Sequence, residues 1–201
     1  MNVSRRTFSF LATAAFVGGC SRNTPEPSQA KSGQTQKEKN AMNAVVLYFS
    51  ATGATRAKAK ALARLAKAPI VEILPEKPYT DADLDWHDKK SRTTIEMDDK
   101  SSRPAIKGKV ENIGSYDVVF LGFPIWWYIA PTLINTFLEA HNLEGKTIVP
   151  FFTSGGSGAG KTLDYLKPSA PKSTFLTPKN LTGASDEEIA AWLASLNLPE
   201  R

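Results

Sequence analysis

The stretch Val45–Arg56 constrains the fold of this chain more than any other. The run Val45–Phe49 predicts a buried strand, and the hydroxyl-rich turn Ser50–Thr55 follows it directly. The Ala-, Lys- and Leu-rich run Arg56–Lys67 then predicts a helix. In such a unit the turn presents backbone N–H groups and the positive end of the helix dipole to one point. That point suits a phosphate, although an ordinary turn capped by Ser or Thr has the same pattern.

Strand and helix patterns alternate along the rest of the domain. The further strands are predicted at Ile70–Leu74, Tyr116–Gly122, Thr147–Thr153 and Ser173–Leu176. The further helices are predicted at Asp83–Asp99, Pro131–His141 and Lys161–Leu166, and from the capping box Ser185–Glu188 to Leu196. Because the strands are apolar throughout, we expect a five-stranded parallel sheet covered by helices on both faces, an α/β three-layer sandwich. Pro150 inside the fourth strand predicts a bulge.

The N-terminal region is predicted to be a targeting signal rather than part of the folded domain. Ser4–Phe8 contains a twin arginine and precedes the apolar run Phe8–Gly19, the layout of a twin-arginine export signal, which we assign to residues 1–20. Cys20, the only cysteine, follows Val17-Gly18-Gly19 and resembles a lipoprotein box, so we expect cleavage before it and lipidation of its sulfur. Cleavage nearby with a free thiol is the alternative.

Charge is concentrated ahead of the domain. The chain has 201 residues and a net charge of +5. Six basic and two acidic residues place +4 of this within the first 42 residues, which leaves +1 for the domain at 43–201. Residues 21–42, rich in Ser, Pro, Gln and Lys, predict a flexible linker. A nearly neutral domain makes a nucleic-acid partner improbable, and we expect membrane contact only through the lipid at Cys20.

Three loops are expected at one edge of the sheet, beyond the carboxyl ends of the strands, where ligands of doubly wound folds bind. The first, Ser50–Thr55, offers hydroxyls and N–H groups. The second, Pro124–Tyr128, offers large aromatic rings. The third, Thr153–Gly160, is almost entirely Gly and Ser, so a flat ligand can approach its backbone closely. A phosphate at one end and a planar body at the other describe a mononucleotide.

These motifs resemble the flavodoxin-like family. Ser50-x-Thr52-Gly53-x-Thr55 is similar to that family's FMN-phosphate loop. The segments Phe123–Tyr128 with Pro131-Thr132, and Pro150–Gly158, match a subgroup of flavodoxin-like proteins. The similarity extends over about residues 43–200, and it implies the sheet order 2-1-3-4-5 and bound FMN.

The resemblance also assigns residues to the parts of FMN. It implies that the phosphate is held by Ser50, Thr52, Gly53, Ala54 and Thr55. It implies that the flavin ring is flanked by Pro124, Ile125, Trp126 and Trp127. It places the other side of the ring and its pyrimidine edge against Thr153, Ser154, Gly155 and Gly156. Since Trp126 and Trp127 are adjacent in a loop, we expect one of them to stack on the ring rather than both to be buried in the core.

Three departures from the best-known flavodoxins separate possible functions. The domain is not strongly acidic, the second loop has no Gly after Phe123-Pro124, and the third loop has no aromatic residue. The first two weaken the case for one-electron exchange with a basic partner protein. The third leaves the ring open to a quinone or other small molecule.

Other patterns in the sequence favour different sites. Gly155–Thr162 matches the P-loop pattern GxxxxGK[ST], an alternative nucleotide site, but no later strand ends in the Asp that such enzymes use for Mg²⁺. His87 and His141 lack metal-ligand spacing, so we predict no metal site. Trp86 is interpreted either as a cover for the flavin or as part of a small satellite core.

Together these features predict an exported, lipid-tethered, FMN-binding protein that transfers electrons in the periplasm. Twin-arginine export fits a flavoprotein, since it carries folded proteins and FMN is loaded in the cytoplasm. The alternatives are an FMN-dependent reductase of a quinone or small molecule, a binding domain without FMN, and the P-loop protein. No protein side chain is expected to be catalytic, because the flavin supplies the chemistry.

Overall fold

The computed structural model describes residues 43–198. The predicted signal at 1–20, the lipidation site Cys20 and the linker at 21–42 lie outside these residues. The strands are β1 Ala44–Tyr48, β2 Ile70–Glu72, β3 Val118–Pro124, β4 Thr147–Thr153, β5 Thr174–Phe175 and β6 Lys179–Asn180. The helices are α1 Ala54–Ala66, α2 Arg92–Asp98, α3 Thr132–Ala140, α4 Thr162–Leu166 and α5 Asp186–Ser195. Short 3₁₀ turns lie at Ile113–Ser115 and Lys167–Ser169.

The strands form one parallel sheet in the order β2-β1-β3-β4-β5. In its centre Val46 lies between Ile70 on one side and Phe120 on the other. The predicted sheet order and fold class are therefore confirmed. The structure adds one strand that the sequence did not predict, β6, which pairs with β4 beyond the end of β5.

Helices cover both faces of the sheet, which gives three layers. Alternate residues of β1 point to opposite faces, so Val45 and Leu47 belong to one buried cluster and Val46 belongs to the other. The first cluster includes the buried side of α3, and the second includes α1 and α5. Ser185 and Glu188 form the predicted capping box of α5. None of the helices among residues 43–198 has the length and apolarity needed to cross a membrane.

The bulge predicted at Pro150 is wrong, since β3 and β4 stay in register from Thr147 to Thr153. In a parallel strand, alternate residues bond to opposite neighbours. The carbonyls of Ile148 and Phe152 accept from the N–H groups of Leu176 and Leu181, which directly follow β5 and β6. Pro150 has the same parity, and it lies opposite the break between those two short strands. Its missing N–H therefore removes no ladder bond.

Of the segment Asp83–Asp99, which was predicted to be one helix, only the second half is helical, as α2. Before α2, the carboxylates of Asp85 and Asp88 accept from the backbone N–H groups of His87 and Lys90, at 2.9 and 2.8 Å. These local bonds favour turns over a helix. Ser91 then caps α2, and its hydroxyl accepts from the N–H of Thr94.

Several predicted boundaries move because strand pairing extends or interrupts them. β3 continues to Pro124, which pairs with Thr153, so Pro124 lies in a strand and not in the second loop. β2 ends at Glu72 because the chain beyond it pairs with the antiparallel segment Ala105–Lys107. α1 begins at Ala54 and not Arg56, so its first turn includes the end of the hydroxyl-rich loop.

Candidate functional site

The loop Ser50–Thr55 folds tightly onto the start of α1. Gly53 is the residue before the helix and has φ +95°, a left-handed conformation that glycine adopts without steric cost. The hydroxyl of Ser50 accepts from the N–H of Gly53 at 3.0 Å. No side chain caps α1, so the N–H groups of its first turn remain open to an external acceptor. A loop with these donors fits an anion of the size of a phosphate.

Thr153 joins all three loops at the carboxyl edge of the sheet. Its hydroxyl lies 2.8 Å from that of Thr55 in the first loop, and both side chains are buried. Its carbonyl accepts from the N–H of Ile125 in the second loop at 2.9 Å. The third loop begins at Thr153 itself. The predicted convergence of the loops on one edge is therefore present in the structure.

The second loop contains a tight two-residue turn from Trp126 to Ile129. These two residues exchange backbone hydrogen bonds of 2.9 and 3.1 Å. The central residues Trp127 and Tyr128 have φ 46° and 65°. Both are left-handed, as in a type I′ turn, where Asn and Gly are the usual residues. Two aromatic residues in this conformation are strained, since each side chain crowds the backbone.

An aromatic cluster of Phe49, Tyr79 and Trp126 fixes the position of the first tryptophan. The indole of Trp126 meets Phe49 edge to face with ring centroids 5.6 Å apart, and it meets Tyr79 in the same way at 5.3 Å. Tyr79 donates to a carboxylate oxygen of Glu96 at 2.6 Å, and the guanidinium of Arg92 lies 4.0 Å above its ring. Burial and the Glu96 carboxylate raise the pKa of Tyr79 far above its ordinary value, so the hydroxyl stays a donor.

The third loop touches the second through Gly160. A Cβ added at Gly160 would lie 2.2 Å from the carbonyl oxygen of Tyr128, so this contact requires glycine. By contrast, a Cβ at Gly155, Gly156 or Gly158 would meet nothing within 4 Å. The space above these three glycines is open, as a flat ligand would need.

A cavity of about 320 Å³ lies beside the first loop, on the side of β2. Ser50 and Ala51 line it together with Arg56, Glu72, Tyr79 and Lys107. None of its lining residues comes from the second or third loop. The cavity therefore adjoins the phosphate end of the candidate site, and Tyr79 borders both the cavity and the aromatic cluster.

The structure separates the predicted site residues by exposure. Buried residues form the frame, namely Ser50, Thr55, Ile125 and Thr153. The other predicted site residues are partly or fully exposed, namely Thr52, Gly53, Ala54, Pro124, Trp126, Trp127, Ser154, Gly155 and Gly156. Their assignment to parts of a cofactor stays a prediction.

Sequence reasoning missed Arg56, Glu72 and Tyr79. Arg56 directly follows the phosphate-type motif, which was the available signal. Tyr79 and Glu72 reach the site only through the three-dimensional fold.

Trp86 and His87 lie in the irregular stretch before α2. The side chain of Trp86 is 67% exposed and stacks on His87, with ring centroids 3.5 Å apart. The satellite-core interpretation of Trp86 is therefore wrong. Among residues 43–198 no group of three His, Cys, Asp or Glu side chains is arranged to hold a metal ion.

The P-loop pattern at Gly155–Thr162 has no P-loop geometry. The hydroxyl of Thr162 is buried and donates to the carbonyl of Ala159 at 2.6 Å. A P-loop threonine must instead direct its hydroxyl to Mg²⁺. The helix that follows, α4, has only five residues.

Comparisons with known proteins agree with this geometry. A protein of Bacteroides eggerthii named as a flavoprotein is 48% identical, with a TM-score of 0.74 over 78% of this chain and 99% of that one. A second such protein, from Bacteroides uniformis, is 43% identical. Its TM-score is also 0.74, and the match covers 78% of this chain and 100% of that one. A Lactobacillus acidophilus flavoprotein in complex with FMN is 22% identical, with a TM-score of 0.62 over 76% and 99%, and shares the fold.

Comparison with curated proteins gave no match. The family model for flavodoxins matches residues 43–196, which is most of the chain and almost all of its described part. Its sheet order is the one that the family resemblance implies. The chain belongs to the flavodoxin family.

Proposed function

We propose that this protein binds FMN at the three loops and transfers electrons outside the cytoplasm. Membership of the flavodoxin family supports FMN as the cofactor. The observation that carries the proposal is the junction at Thr153, which ties a phosphate-type loop to an aromatic loop and a glycine-rich loop. When bound, FMN supplies the redox chemistry, and the protein positions it and adjusts its potential.

The residues present fit the two ends of FMN. At the phosphate end, the open N–H groups of α1 and the exposed Thr52 are donors, and Gly53 keeps the loop tight. At the ring end, Trp126 is engaged by Phe49 and Tyr79. The partly exposed Trp127 is therefore the tryptophan better placed to cover the flavin. Gly155 and Gly156 leave room on the opposite side.

Binding is tested by titrating the purified full chain with FMN and following absorbance and flavin fluorescence. We expect saturable binding with a perturbed flavin spectrum. Trp127→Leu should weaken binding of FMN and riboflavin by the same factor, because both carry the ring. Tyr165→Leu, an exposed tyrosine outside the site, is the matched control. Absence of FMN binding by the folded protein would contradict the proposal.

A second candidate is an FMN-dependent reductase of a quinone or another small molecule. The open space above Gly155, Gly156 and Gly158 favours it, since no aromatic side chain of that loop covers the ring position. Anaerobic reductive titration of the loaded protein separates the two roles. Reduction in distinct one-electron steps supports a carrier for a partner protein. Direct two-electron reduction, with turnover of a quinone, supports the enzyme.

The location is part of the proposal and rests on the N-terminal sequence. Arg5 and Arg6 are expected to direct export, and Cys20 to carry a lipid that tethers the domain to the membrane. Replacing both arginines by Lys should retain the protein in the cytoplasm, whereas Arg22→Lys should not. Cys20→Ser should move the exported protein from the membrane fraction to the soluble periplasmic fraction. A Cys20→Ser protein that stays in the membrane fraction would refute the lipid anchor.

A further inference from the structure

Arg56 lies in the first turn of α1, one residue after the phosphate-type loop, and its direction is fixed by Glu72 at the end of β2. The Nη2 and Nε atoms of Arg56 donate to the two carboxylate oxygens of Glu72 at 2.7 and 3.3 Å. The hydroxyl of Tyr48 donates to the same carboxylate at 3.1 Å. A planar guanidinium held through two of its nitrogens has little freedom to turn.

The third nitrogen of Arg56 lies beside the loop. A Cβ built at Gly53 would have Nη1 of Arg56 as its nearest neighbour, at 3.9 Å. This nitrogen makes none of the bonds to Glu72. Among residues 50–56, Arg56 is also the only one with a charged side chain. The guanidinium thus lies beside the loop, and its Nη1 is not used in the bonds to Glu72.

The charge of Arg56 is secure in this position. Hydrogen bonding to Glu72, followed by that to Tyr48 and the attraction of the Glu72 charge, raises the pKa of the guanidinium above its ordinary value. The side chain is 42% exposed, so solvent weakens its electrostatic effect without removing it.

We propose that Arg56 is the cationic ligand of the FMN phosphate, with Nη1 as the donor and Glu72 as the residue that orients it. This inference rests on the proposed function and extends it by one residue. A phosphate carries between one and two negative charges at neutral pH, and helix N–H groups supply only partial positive charge. A guanidinium at the rim adds a charge-assisted hydrogen bond, and the Glu72 carboxylate offsets part of its charge. The site then selects FMN over riboflavin, which lacks the phosphate.

The alternative is that Arg56 only joins α1 to β2 as a structural ion pair. The two roles differ in their dependence on a cation at this position. A structural role is lost alike in Arg56→Gln and Arg56→Lys, since both lose the two-point bond to Glu72. A phosphate role affects FMN alone and is retained in part in Arg56→Lys, which keeps the charge.

The test compares the dissociation constants of FMN and riboflavin for full-chain variants, measured by quenching of flavin fluorescence. For Arg56→Gln we expect FMN to bind about tenfold more weakly and riboflavin to be unchanged, since tenfold corresponds to one modest charge-assisted bond. The salt dependence of FMN binding should also become shallower. Arg64→Gln is the matched control, because Arg64 lies on the same helix in an exposed ion pair with Asp186.

Arg56→Lys separates loss of the charge from loss of the ion pair that joins α1 to β2. It keeps the charge and loses the two-point bond to Glu72. It should retain more of the preference for FMN over riboflavin than Arg56→Gln does. Equal weakening of both flavins in Arg56→Gln, or no weakening of either, would overturn the role of Arg56. A wild-type chain that binds neither flavin would instead overturn the proposed function itself.

Discussion

The phosphate end and the ring end of the candidate site are built in different ways. At the phosphate end, residues close in sequence bond to one another, as Ser50 does to Gly53. At the ring end, the contacts join segments far apart in the chain, as Trp126 does with Tyr79 and as Gly160 does with Tyr128. The first is a local motif that the bond between Thr55 and Thr153 ties to the third loop. The second exists only once the domain has folded.

This difference predicts how each end responds to change. A local loop on a helix start keeps its shape when a distant residue is altered. The ring end depends on close packing across segments, so one added or removed group there should change both stability and the position of the flavin loop.

The largest effect is expected for Gly160→Ala. The new Cβ would lie 2.2 Å from the carbonyl oxygen of Tyr128, and Gly160 has φ +50°. Overpacking and left-handed strain together should lower the free energy of unfolding by about 3 kcal/mol. Chemical denaturation measures the loss. Gly158→Ala, where a Cβ meets nothing within 4 Å, should cost little. Equal losses for the two variants would show that the Gly160 contact is not what limits this position.

Tyr79→Leu should have the next largest effect. It removes a tilted ring contact with Phe49, an edge-to-face contact with Trp126 and the hydrogen bond to Glu96. We expect a loss of about 2 kcal/mol in unfolding free energy, together with weaker FMN binding, because Trp126 loses one of its supports. Tyr165→Leu is the control for a tyrosine outside the cluster. A destabilised variant with unchanged flavin affinity would show that Tyr79 does not position the second loop.

How far the sequence could predict the site follows the same division. The strand, turn and helix around Ser50–Thr55 were predictable because each element has a local pattern. The cluster of Tyr79 with Trp126 was not, since nothing in the irregular stretch before α2 has a period that indicates which residue turns inward. The bulge at Pro150 was wrongly predicted because the cost of a proline in β4 depends on where the neighbouring strands β5 and β6 break. That break is a property of another segment of the chain.

Stability at alkaline pH should report the burial of Tyr79. Its pKa is raised above the ordinary value of about 10 by burial first and Glu96 second. Above that ordinary value the unfolded chain releases the proton and the folded chain keeps it. The contribution of the neutral Tyr79 hydroxyl to the free energy of unfolding is thus complete below about pH 10. Above that pH it declines by about 1.4 kcal/mol per pH unit. Tyr79→Phe should flatten this decline. The decline will not vanish, because burial also raises the pKa of Tyr48. An unchanged slope in Tyr79→Phe would mean that its hydroxyl titrates normally in the folded protein.

Thr153→Val tests the junction between the two ends. The change preserves shape but leaves the buried hydroxyl of Thr55 without its partner at 2.8 Å. We expect a loss of about 1 kcal/mol in unfolding free energy. Because the side chain of Thr174 is exposed on β5, Thr174→Val provides the matched control. If Thr153→Val matches this control in stability, the hydroxyl pair does not hold the loops together.

The smallest effect should have the opposite sign. Tyr128 is 70% exposed and has φ 65° in the turn from Trp126 to Ile129. Tyr128→Gly relieves a left-handed strain of about 1–2 kcal/mol. It also raises the conformational entropy of the unfolded chain, which lowers the free energy of unfolding by about 0.5–1 kcal/mol. A net gain of about 0.5 kcal/mol should therefore appear in denaturation, while Tyr128→Ala, which keeps the Cβ, should gain nothing.

The sign of that small change bears on why two aromatic residues occupy a turn that suits glycine. If Tyr128→Gly gains stability and loses affinity for FMN, the strain at the ring end is retained for binding, and the phosphate end needs no such compromise. If the glycine variant is less stable than wild type, then contacts of the Tyr128 side chain outweigh the backbone strain. The ring end would then be held by packing alone, and its strained turn would need no functional explanation.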